Sequence, residues 1–275
     1  MSAATITNTP DTTPRSGHYK FSGLLGSEWT KLRTVRSTMW TLGLTILIAV
    51  VISAVATAAT RANWSTTTLA NRAGFDPIGR TLIGVFFGTF TIGVLGVLVV
   101  SAEYGTGTIH AVFCAAPRRL RVLAAKTIVF GAVALVISEI ASFASFFLGE
   151  AFLTGPVPHA TITSPGALRA VAGSGLYLCA IGLFGLGLAS IIRHTAGAIS
   201  AFAGILLLIP IIGAALPASL DNDLTRFMPL RIGEEMVSGP PLANSFSPWT
   251  GLAVLCAYVA ALLIIGAVVL VKRDA

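Results

Sequence analysis

Glu139 carries the chemistry that fits its surroundings least. It is a carboxyl about twelve residues into an apolar run, with Ser138, Ser142 and Ser145 close by in sequence. An ionised carboxylate in the middle of a membrane is costly unless it is paired, hydrated or protonated. Two roles satisfy that demand: a pathway-lining residue that contacts a cationic substrate, or a protonated, hydrogen-bonded structural glutamate. A second group is Glu103-Tyr104-Gly105-x-Gly107-Thr108, followed by His110 and Phe113 and then by Arg118, Arg119, Arg121 and Lys126. Its chemistry is ionic docking rather than catalysis. The chain contains no GxxxxGK[ST] phosphate loop, no HExxH and no GxSxG, so nucleotide hydrolysis and nucleophile chemistry have no residues here. Cys114, Cys179 and Cys256 are far apart and suit neither a disulfide framework nor a zinc site. Gly173-Ser174-Gly175 and the sequon Asn63-Trp64-Ser65 are too short to carry a function. No catalytic, cofactor-binding or metal-binding residue is assigned to this chain, and it is not expected to be an enzyme.

The elements that hold these groups are set by composition. Hydrophobic residues make up 55% of the chain, charged residues 11%, and mean hydropathy is +0.85. A soluble domain has about a quarter of its residues charged, so this is a multispanning membrane protein. The net charge of +7 reflects cations in loops on one side of a membrane rather than nucleic-acid binding. Arginine outnumbers lysine, and alanine and glycine are abundant, which fits a GC-rich coding sequence and a bacterial origin.

Six segments have the roughly twenty apolar residues a crossing helix needs: 37–60, 81–102, 127–152, 170–192, 195–216 and 249–271. Pro210 is expected to kink the fifth. One orientation gathers Lys20, Lys31, Arg33, Arg36, Arg118, Arg119, Arg121, Lys126, Arg193, Lys272 and Arg273 on one side, and the positive-inside rule makes that side cytoplasmic. Both termini are then cytoplasmic, with 1–18 a flexible polar tail and 19–275 a single transmembrane domain. Arg193 and His194 read as a topology signal in the turn between the fourth and fifth spans. The connection 217–248 mixes apolar and charged residues, and it is either a piece that dips into the membrane or an amphipathic surface loop.

Residues 19–36 precede the first span. Phe21, Leu24, Leu25, Trp29, Leu32 and Val35 recur at helical spacing on one face, with Lys20, Ser27, Lys31 and Thr34 on another. A basic amphipathic helix with a tryptophan suits the headgroup region and its anionic lipid. Between the second and third spans, Gly105 and Gly107 interrupt the helix, Thr106 or Thr108 can cap a new one, and Pro117 ends it. Ile109, Val112, Phe113 and Ala116 follow i, i+3, i+4, i+7, which predicts a short amphipathic helix over 108–116. Such a helix can pass motion from a soluble motor to the spans; alternatively the loop only fixes topology.

The run Glu28-Trp29-x-Lys31-Leu32-Arg33 before the first span, Glu103-Tyr104-Gly105-x-Gly107-Thr108 after the second, and Pro117-Arg118-Arg119 leading to Lys126 together resemble the permease subunits of the type-2 ATP-binding-cassette (ABC) exporter family. The resemblance covers nearly the whole chain. It implies an all-α membrane protein of six transmembrane helices with an N-terminal elbow helix (Glu28, Trp29, Lys31, Arg33) and a cytoplasmic coupling helix. Glu103, Tyr104, Gly105, Gly107, Thr108, His110 and Phe113 would contact the ATPase. It further implies two copies of an ABC ATPase that bind ATP and magnesium, a second permease copy as homodimer or heterodimer, and a place among the lipids of the bacterial cytoplasmic membrane. This chain would form half of the export pathway. Two other functions compete: an ion-driven transporter or channel that uses Glu139, and a non-transporting immunity or assembly protein.

Overall fold

The computed structural model describes residues 20–109, 118–214, 225–240 and 245–272. Every regular element among them is helical. Helix α1 (Phe21–Thr34) leads into α2 (Arg36–Ala62), and two short helices, α3 (Leu69–Ala73) and α4 (Pro77–Thr81), connect it to α5 (Gly84–Gly105). Then come α6 (Arg119–Phe152), α7 (Ala167–Ile192), α8 (Thr195–Ala203), a π-helical turn (Gly204–Leu208) and α9 (Ile209–Ala214). Helices α10 (Pro229–Val237) and α11 (Pro248–Lys272) complete the described chain. Six helices are long and apolar enough to cross a membrane: α2, α5, α6, α7, the composite α8–π–α9 and α11. The expected tail 1–18 lies outside the described residues.

The third apolar helix is longer than its apolar run. It begins at Arg119 rather than near residue 127, because Arg, Leu, Ala and Lys are all good helix formers and nothing after Arg118 interrupts them. At 34 residues and 1.5 Å per residue it is about 51 Å long, well beyond the ~30 Å of a hydrocarbon core. The basic run is therefore the first two turns of a helix, with fixed side-chain directions, and not a loop.

Helix α7 is the centre of the bundle. Its most apolar stretch is 72% buried, against 17% for the fifth span, and it packs against α5, α6, α8, α10 and α11. Close approach of α5 and α7 rests on paired glycines. A methyl group at Gly96 would collide with the carbonyl of Gly182, and one at Gly185 with the carbonyl of Gly93. Helices without a hydrophobic drive between them gain most from such backbone contact.

The long connection before the last span is built into the bundle. Tyr258 Oη donates to the carbonyl of Phe227 (3.2 Å), Gly233 lies against the Tyr177 ring and Met236 against Gly173. Further along, Arg169 Nη2 donates to the carbonyls of Ser238 (2.7 Å) and Gly239 (3.1 Å), and the Gly239 N–H donates to Asp76 Oδ2 (2.8 Å). Residues 233–239 thus run alongside α7 from the level of Tyr177 to that of Arg169. Tyr177 is ten residues into α7, about 15 Å from its end. Of the connection 217–248, the described part packs on α7 and α11, an arrangement that covers its backbone as a piece dipping into a membrane would need; residues 217–224 and 241–244 lie outside the described residues.

Candidate functional site

At the Lys- and Arg-rich end of the bundle, three elements bring four charges together. Helix α1 presents Glu28 and Lys31 three residues apart, which puts both on one face. The last turn of α5 presents Glu103, and the third turn of α6 presents Lys126. Lys126 Nζ donates to Glu28 Oε2 (2.8 Å) and Glu103 Oε1 (2.8 Å), and Lys31 Nζ donates to Glu28 Oε1 (2.6 Å) and Glu103 Oε1 (2.9 Å). The result is a closed ring in which each cation touches both anions. It carries no net charge. Side-chain exposures of 6% for Lys126 and 5% for Glu28, against 37% for Lys31, make it a buried quartet with one open corner. Lys126 also donates to the carbonyl of Val99 (3.2 Å), so all three of its N–H groups have acceptors.

Burial is the largest single influence on the Lys31 ammonium and pushes its pKa down. The Glu28 and Glu103 carboxylates together outweigh it, so Lys31 titrates above the ordinary lysine range. A buried pair contributes little against a well-packed apolar substitute, but losing one partner is costly because a bare charge stays behind. The quartet is therefore a latch with a defined register more than a source of stability.

Helix α1 buries Leu24, Glu28 and Leu32, spaced by four, while Trp29 is 52% exposed. The expected face grouped Trp29 with the leucines; the structure puts Glu28 in that stripe instead, because Lys126 is there to receive it. Arg33 points outward with Trp29. Of the four residues assigned to the elbow, Glu28 and Lys31 face inward and Trp29 and Arg33 face out.

Tyr104 turns the other way from Glu103. The Arg193 guanidinium lies over its ring, 5.3 Å from the centroid, and Arg193 Nη2 donates to the carbonyl of Val269 (2.9 Å) near the end of α11. Arg193 ends α7 in the left-handed conformation, with φ of 60°. Arg119 Nη1 adds a contact to the carbonyl of Leu270 (3.3 Å). Arg193 is thus more than a topology signal, since it ties α5, α7 and α11 together. Adjacent residues Glu103 and Tyr104 hold the end of α5 from both sides.

After this anchor α5 ends. Gly105 closes α5, with Thr195 Oγ1 the nearest atom to any methyl placed there, and Gly107 takes φ of 71°, which favours glycine. Thr106 Oγ1 and Thr108 Oγ1 are 2.9 Å apart, and Ile109 is buried. His110, Phe113 and the remainder of the expected helix over 108–116 lie outside the described residues. A cleft of about 400 Å³ opens beside the quartet, between α1, α2 and α5, with Leu32, Val35, Thr38, Thr41, Leu98 and Thr108 among its walls.

Glu139 belongs to another region. Its carboxyl lies against Gly175 of α7, where a methyl group would meet it at 2.5 Å. One turn away, Ser142 Oγ and Ser174 Oγ are 2.5 Å apart, and both reach the Val171 carbonyl. This polar seam between α6 and α7 is separate from the quartet. Sequence reasoning took Lys126 for a topology charge and so missed its role. The signal was its position inside the third helix's apolar register, matched by Glu28 at i+4 from Leu24 and i−4 from Leu32.

None of the curated proteins matches this chain. The model of the family described as "ABC-2 family transporter protein" matches residues 24–200, which is more than half of the sequence and includes all four quartet residues. The chain belongs to the ABC-2 transporter family, and with its six apolar helices it is a multi-pass integral membrane protein.

Proposed function

We propose that this ABC-2 family chain is the membrane subunit of an ATP-driven exporter, forming half of a translocation pathway and taking its energy from a separate ATPase. The observation that carries this reading is the latch at the base of the 106–118 segment. Glu103, in the last turn of the helix before it, and Lys126, in the third turn of the helix after it, are joined at 2.8 Å and both bonded to α1. Force applied to this segment would reach α1, α5 and α6 together.

The division of labour follows from residue types. Glu103 and Tyr104 hold the segment to the bundle, while Gly107, Thr108, His110 and Phe113 contact the ATPase. Helix α1 lies along the cytoplasmic face of a bacterial membrane, with Trp29 and Arg33 toward headgroups. Both chain ends are cytoplasmic. ATP and magnesium are bound by two ATPase copies, because this sequence has no phosphate loop, and a second permease copy supplies the other half of the pathway.

Copurification tests the contact. Tagged protein coexpressed with an ABC ATPase encoded beside it should retain that ATPase, and the double variant His110→Ala, Phe113→Ala should lose most of it at unchanged thermal stability. Equal retention by the double variant removes these residues from the contact. Failure of the parent protein to retain the ATPase, or transport in vesicles that continues without ATP, defeats the reading as a whole.

A further inference from the structure

The fifth span is divided. Its first part, α8, is seated firmly: Phe202 is fully buried, fills the notch left by Gly93 and packs on Phe184 at a centroid distance of 6.4 Å. Leu206, also fully buried, is the last such residue of this span among those whose burial is described. Beyond it Leu207, Leu208, Ile209, Ile211 and Ile212 are 44–65% exposed. Helix α8 packs on α5 and α7, whereas α9, among the described residues, makes its main contacts with the π-helical turn that precedes it.

The division falls where the backbone changes register. The Ile209 N–H donates to the Gly204 carbonyl, five residues back instead of four. Pro210 follows at once, with no N–H to give, and in a regular helix its ring would strike the Leu206 carbonyl. One extra residue in the turn relieves that clash and leaves carbonyls of the turn without their usual donors. Kinks above about 20° concentrate at such prolines and π turns.

We propose that the fifth span is a jointed element, in which α9 moves as a unit about the Gly204–Leu208 turn and Pro210 while α8 stays fixed to α5 and α7. Swinging 20° about Leu206 displaces the end of α9, eight residues or about 12 Å away, by about 4 Å. On the other side the joint has a fixed neighbour in α8, which packs on α5 and α7. This inference needs neither an ATPase nor a direction of transport.

Spin-label distances in the full chain, reconstituted in lipid nanodiscs with native cysteines replaced by alanine, test it directly. One label pair reports on the outer half, Leu168 to Ile212, and a second on the inner half, Ser200 to Val271. The outer pair should show a split or broadened distribution with a spread of about 4 Å, and the inner pair a narrow one. Pro210→Ala restores the missing donor, so the outer distribution should narrow while the inner one stays put, which also shows that the variant folds. An outer distribution as narrow as the inner one, or one that Pro210→Ala leaves unchanged, overturns the proposal.

Discussion

Replacing Lys126 by methionine keeps the length and volume of the side chain and removes one charge. The quartet then passes from neutral to a net charge of −1: Glu28 Oε2 and the Val99 carbonyl lose the Lys126 donor, and Glu103 Oε1 loses one of its two. Breaking a buried pair by removing one partner costs about 3–5 kcal/mol. The lower end applies, because Lys31 remains bonded to both carboxylates and its 37% exposure lets water share the load. A loss of about 3 kcal/mol corresponds to roughly 6–12 °C in midpoint for a chain of this size, measurable from the thermal unfolding of purified protein in detergent. Adding Glu28→Gln removes the second charge and leaves Lys31 facing Glu103 as a neutral pair. The double variant should therefore be more stable than Lys126→Met alone, with a coupling of about 1–3 kcal/mol by double-mutant cycle. If Lys126→Met melts within about 1 °C of the parent, or if the two substitutions simply add, the charges are not acting as a unit.

Gly96→Val places methyl groups in the Gly182 carbonyl; it should abolish a folded, monodisperse species on size exclusion, whereas Gly43→Val, with open space around it, should not. Asp76→Ala removes the acceptor of the Gly239 N–H, at about 1–3 kcal/mol for a partly buried charged bond, and a cysteine placed at Ser238 should react faster with a membrane-impermeant maleimide in that variant. Glu139→Gln keeps the shape of the side chain against Gly175; stability within about 0.5 kcal/mol of the parent is expected, and a larger loss would mean that the carboxylate charge itself holds α6 to α7.

The spans were legible because twenty-residue apolar runs have few alternative explanations. Their boundaries were less so where charge and helix propensity disagree. The run from Arg119 to Lys126 looks like a loop by charge and is helix by propensity, and propensity prevails because the run leads without a breaker into an apolar helix. At the site, the sequence marks Glu28, Lys31, Glu103 and Lys126 as unusual individually. Nothing in their spacing says that residues separated by 98 positions meet. Such a pairing is set by how α1 crosses the ends of α5 and α6, which depends on side-chain fit and not on periodicity. The segment 225–240 was readable only as an ambiguous mixture of apolar and charged residues, because what ties it to the bundle is its own backbone at Ser238 and Gly239, bonded to the distant Arg169 and Asp76, and backbone groups leave no mark in a sequence.

The two ends of the bundle are held by different chemistry, and the difference bears on which parts can move. At the Lys- and Arg-rich end the ties run through charged side chains, and four spans share them: Glu103 and the Tyr104 ring for α5, Arg119 and Lys126 for α6, Arg193 for α7, and the α11 carbonyls that receive Arg119 and Arg193. Displacing any one of these helices breaks several charge-assisted bonds at once. At the opposite end α4, α7 and α10 are tied through backbone groups to Asp76 and Arg169. The outer half of the fifth span is tied by neither set among the described residues, and it begins at the one place where the helix changes register. Motion passed into the bundle from the latched end would therefore be taken up first by α9. Stiffening the joint with Pro210→Ala should slow transport without weakening retention of the ATPase, and a variant that loses both together would place the fifth span in the contact rather than in the moving part.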